Sequence, residues 1–87
     1  MITYEEYKQR VFEVAMKTEF KELSEQEVLE YFKKEEAYIK DMYETDTNED
    51  KFRAVYGKRN DFEEEFKNGD YLESGIHGTV YGLSMMW

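Results

Sequence analysis

The chain has 87 residues with no cysteine and no proline; 21 acids against 12 bases give a formal charge of -9, and 40% of residues are apolar. A chain this short buries only about 60% of its unfolded surface, so it reads as one small acidic domain that relies on close aromatic packing or self-association. The composition excludes a disulfide framework, a thiolate nucleophile and a Cys-ligated metal, and it argues against direct contact with nucleic acid or anionic lipid.

Fifteen aromatic residues argue for a folded chain despite the charge. Thr3 and Glu6 form a capping box, with Ile2 and Tyr7 as its hydrophobic staple. Tyr7, Val11, Val14 or Ala15 and Thr18 then recur at helical spacing and predict a first helix over about 4–21. Ser24 with Glu27, and Leu23 with Val28, repeat the same start signal. The face Val28, Phe32, Ile39 and Met42 carries a second helix to Tyr43 or Glu44, interrupted in polarity by Glu35 and Glu36. The short link between them predicts antiparallel or steeply crossed neighbours.

Thr45-Asp46-Thr47-Asn48 is a turn from which Thr47 or Asn48 starts a third helix. Phe52, Val55, Tyr56, Phe62 and Phe66 share a face if that helix continues through Gly57 and Arg59; a stop at Gly57 and a new cap at Asn60 or Asp61 would split it. Asn68-Gly69-Asp70 is a clearer turn. The tail after Gly75 has neither acid nor base, and Ser74 is a candidate cap for a helix with the stripe Ile76, Val80, Leu83 and Trp87. Gly75, Gly78 and Gly82 would share a face that admits a second helix closely, while Thr79-Val80-Tyr81 favours a strand as the rival. The expected fold is all-α, a three- or four-helix bundle formed by one domain over 1–87.

Three constellations are candidates for chemistry. Asp46, Asn48 and Asp50 alternate like the opening of a calcium loop, but Lys51 and Gly57 stand where glycine and a bidentate glutamate belong. Glu73 lies one turn before the single histidine, His77, and could orient its imidazole or share a metal ion with it, yet no second histidine completes a metal site, and nothing supports the position of a nucleophile for the pair, although Ser74 and Ser84 are present. Neighbouring acids such as Glu35 with Glu36, or Glu63, Glu64 and Glu65, diverge by about 100° on a helix and do not converge. No phosphate loop is present. The expectation is a non-catalytic protein with no cofactor and no metal.

Two features point to interaction. Residues 35–70 carry twelve acids and six bases, a net of -6, so Glu35, Glu36, Asp41, Glu44, Asp46, Glu49, Asp50, Asp61, Glu63, Glu64, Glu65 and Asp70 are candidates for an acidic band facing a basic groove. Eight tyrosines, five methionines and Trp87 supply a candidate contact patch at Tyr31, Tyr38, Tyr43 and Trp87. The reading is therefore a binding partner of another protein, with homodimerisation as one form of it. The alternatives are a DNA mimic that inhibits a restriction, CRISPR or regulatory protein, and an antitoxin-like partner. A start that lacks the features of a signal peptide and the absence of a membrane-length apolar run lead to a cytoplasmic expectation, with no membrane or nucleic-acid contact. The general look is similar to small proteins of bacteria and phages encoded on mobile elements, a likeness without a motif behind it.

Overall fold

A computed structural model describes residues 2–57 and 63–87. Its elements are all helices: α1 (Tyr4–Lys17), α2 (Glu25–Lys34), α3 (Glu36–Asp46), α4 (Glu49–Tyr56), α5 (Glu63–Asn68) and α6 (Tyr71–Met86). The fold is all-α as expected; the described helices number six because two expected ones are divided.

Both capping boxes form. Thr3 accepts from the Glu6 amide at 3.1 Å while the Glu6 carboxylate takes the Thr3 amide, and Ser24 and Glu27 do the same at the head of α2. The Thr3 bonds hold the Glu6 carboxyl below its ordinary pKa. α1 ends at Lys17, short of the expected residue 21, where the Thr18 hydroxyl folds back on the Val14 carbonyl and the chain turns through Phe20.

The expected long second helix is instead interrupted at Glu35, which closes α2 with φ -100° and ψ 25° and opens α3 without a side-chain cap. Neither proline nor glycine marks the break. Its cause is what each half packs on. Phe32 of α2 meets Phe12 and Phe20 edge-on, whereas α3 ties to the head of α1 through Glu36, which takes Lys8 and the Tyr4 hydroxyl, and through Tyr43, whose ring meets Tyr4 and Tyr7.

The third segment takes its divided form. Asn48 caps α4 by accepting from the Lys51 amide, α4 stops at Gly57, and α5 follows from Glu63; the candidate caps Asn60 and Asp61, with Phe62, lie outside the described residues. Gly69, with φ 77°, occupies the left-handed turn after α5 that favours glycine. Phe52, Phe66 and Tyr71 form a cluster of rings with centroids 5.4–5.7 Å apart, and Tyr56 lies 4.7 Å from Phe52.

The tail is a helix of 16 residues rather than a strand, and it starts at Tyr71, so Ser74 sits inside it and donates to Glu65 instead of capping. Ile76, Val80 and Leu83 are buried in the main core with Tyr7, Val11 and Ala15 of α1, Val28 and Phe32 of α2, and Ile39 of α3. Glycine sets how closely α6 and α3 approach. A Cβ at Gly75 would overlap the Asp46 carboxyl, and one at Gly82 would overlap the Tyr38 hydroxyl. Those two contacts pair the end of α3 with the start of α6 and the start of α3 with its end, so the helices run in opposite directions.

Candidate functional site

α6 has two faces of different character. The inner one ends in a buried polar junction. Asp46, fully buried on the last turn of α3, accepts from the Tyr7 hydroxyl of α1 at 2.5 Å on Oδ2. Thr79 of α6, also fully buried, lies 2.8 Å from the Tyr7 oxygen, 3.3 Å from Asp46 Oδ2 and 2.9 Å from the Gly75 carbonyl. Oδ1 of Asp46 has no hydrogen-bond partner among the described residues. Burial pushes the Asp46 carboxyl up to about 6, against the pull of the Tyr7 and Thr79 hydrogen bonds. Burial, then the Asp46 charge, raises Tyr7 far above the usual phenol range, pushes Tyr56 up to about 12 and raises Tyr38.

The outer face is apolar and open. His77, Tyr81 and Met85 follow one another at four-residue spacing along α6, a row that stays on one side of a helix. Tyr81 is 59% and Met85 71% exposed, and between Ser74 and Trp87 there is no Asp, Glu, Lys or Arg. Trp87 closes the end. Its ring stands 4.6 Å from Tyr31 and 5.8 Å from Phe20, both edge-on, yet it keeps 59% of its surface open.

The aromatic patch read from the sequence is only partly gathered. Tyr31 and Trp87 meet, and the Tyr31 hydroxyl donates to the Leu83 carbonyl at 2.8 Å. Tyr38 lies against Gly82, and Tyr43 sits at the far end, donating to the Ile2 carbonyl at 2.8 Å. All three tyrosines are half-buried in the packing of the domain. Tyr81 and Met85, the most exposed large side chains of α6, were not among the sequence candidates; the readable signal was their place opposite Ile76, Val80 and Leu83 in a charge-free segment.

The acidic band needs one correction. Asp46 does not belong to it, because the Gly75 backbone and the Tyr7 hydroxyl receive its carboxyl inside the domain. Glu36 takes Lys8, Glu49 and Glu63 share Arg53, and Glu65 accepts from Ser74; Asp41, Glu44, Asp50, Glu64 and Asp70 are exposed, Glu35 is half-buried, and Asp61 lies outside the described residues. The calcium-loop pattern is spent elsewhere, Asp46 on Tyr7 and Asn48 on the α4 cap. Glu73 grips Arg10 at 2.6 and 2.7 Å rather than orienting His77, which is exposed. Among the described residues no group of three or more His, Cys, Asp or Glu side chains is placed to hold a metal ion, and no helix is long and apolar enough to cross a membrane.

The chain matches no known family model, and no curated protein or solved structure matches it.

Proposed function

We infer that this chain is a non-catalytic binding protein whose outer α6 face docks on another protein. The observation that carries the reading is the exposed row Tyr81 and Met85, continued by Met86 and Trp87, in a stretch without charge on a chain of -9. Tyr, Trp and Met are the side chains that dominate interface cores, and removing charge from a patch lowers the cost of drying it. The occupant that fits is a protein surface offering an apolar groove to one side of a helix.

Phosphate mimicry has weaker support, because Asp46 is withdrawn from the band and Glu36, Glu49 and Glu63 are matched with cations. The two readings separate in one experiment. Capture from lysate is run with the wild-type chain, with Tyr81→Ala/Met85→Ala and with charge reversal at Glu63, Glu64 and Glu65, each at low and at high salt. A docking face predicts a partner that survives salt and charge reversal and is lost from the double alanine variant. A partner lost to salt and charge reversal, but kept by the double variant, transfers the function to the acids.

A further inference from the structure

Asp46 lies apart from the docking face, where an ionised carboxylate is hard to accommodate. It is fully buried where α3 meets α1 and α6, and no cation stands within ion-pair distance of it among the described residues. Among the described residues, the titratable groups that face it are phenols: Tyr7 from α1, Tyr56 from α4 and Tyr38 from α3 itself, with the Thr79 hydroxyl from α6. All three phenols are neutral at physiological pH and bring no compensating charge.

Counting protons decides which form the site suits. Tyr7 and Thr79 have one hydroxyl proton each. With the carboxylate ionised, Tyr7 donates to Oδ2, Thr79 must choose between Oδ2, Tyr7 and the Gly75 carbonyl, and Oδ1 receives nothing. With a proton on Oδ2, the contacts of 2.5, 2.8 and 2.9 Å become a one-way chain from Asp46 to the Tyr7 oxygen, from Tyr7 to Thr79, and from Thr79 to the Gly75 carbonyl. Each hydroxyl is then used once. The bare Oδ1 becomes a neutral carbonyl oxygen, which is far cheaper to leave dry than a charged one.

We propose that Asp46 is a proton-operated latch: carrying a proton it fastens the end of α3 to α1 and α6 through that hydrogen-bond chain, and ionised it loosens the joint. The upward push of burial on the Asp46 carboxyl, to about 6 from an ordinary 3.8, agrees with this geometry. A carboxyl raised in the fold binds its proton more tightly folded than unfolded. Its stabilisation is therefore complete below the ordinary value, declines as pH rises towards the folded value, and is absent above it.

The test is a carboxyl carbon NMR titration of the full chain, with thermal unfolding of wild type and Asp46→Asn between about pH 5 and 7.5, above the range where Glu6 titrates. The latch predicts an Asp46 midpoint near 6, amide shifts at Gly75 and Thr79 with the same midpoint, and a wild-type melting temperature that falls to about pH 6.5 and then levels. Asp46→Asn should lose that fall. A midpoint at or below that of an ordinary aspartate, read on the wild type alone, overturns the proposal, as does a parallel decline in the two proteins.

Discussion

The two aromatic regions of this domain are held by different means. Around α1, α2, α3 and α6, rings such as Phe20 and Phe32 are interleaved with aliphatic side chains, and α1 and α2 start from reciprocal caps. Around α4 and α5, Phe52, Tyr56, Phe66 and Tyr71 pack ring on ring across helices of eight and six residues. Helices that short do not persist alone in water, so contacts made from outside must hold them. Arg53 supplies some: it lies 3.8 Å from the centre of the Phe66 ring and pairs with Glu49 and Glu63. The lesson is that α1 and α2 rest on reciprocal start signals of their own, whereas α4, with its single Asn48 cap, and the six-residue α5 depend more on their surroundings.

The largest effect should come from truncating each region in turn. Leu83→Ala empties a fully buried site in the first, at a cost of about 3 kcal/mol in global unfolding by denaturant. Phe52→Ala removes a larger side chain from a site about as fully buried in the second. If the regions differ as described, hydrogen exchange in this variant should lose protection across α4 and α5 while α1 and α6 keep theirs; uniform loss would make the domain one cooperative unit.

Next in size is Gly75→Ala, whose new methyl meets the Asp46 carboxyl, for a loss of about 2 kcal/mol. Adding Asp46→Ala to it should cost less than the two separate losses summed, since the overlap is then gone. Strict additivity in the cycle would mean that the helices had simply moved apart. The smallest effects separate the regions by kind: Ser24→Ala should cost about 1 kcal/mol at any ionic strength, whereas Arg53→Ala should give a smaller loss that shrinks with added salt.

The same division explains what the sequence revealed. Caps at Thr3, Ser24 and Asn48 were readable because each is a bond between residues three apart, and Gly69 because its backbone angle is a local demand. The interruption at Glu35 was hidden because no local residue causes it; α2 and α3 part company over which portion of α1 they cover. Asp46 was misread for a related reason. It follows Ile39 and Met42 on one helical face, an acid where the stripe calls for an apolar side chain, yet only Gly75 and Tyr7, distant in the chain, make room for it there. The outer face of α6 was half visible, in that freedom from charge could be read but not which side of the helix the core would claim.

Trp87 has a practical consequence. As the single indole of the chain, standing edge-on to Tyr31 and Phe20, it is a built-in optical reporter on one end of the molecule, far along the chain from α4 and α5. Its fluorescence will follow the seating of the last helix and stay silent about the ring cluster around Phe52. Emission and far-ultraviolet ellipticity recorded on one sample would therefore reveal, without any label, whether the two halves come undone in step.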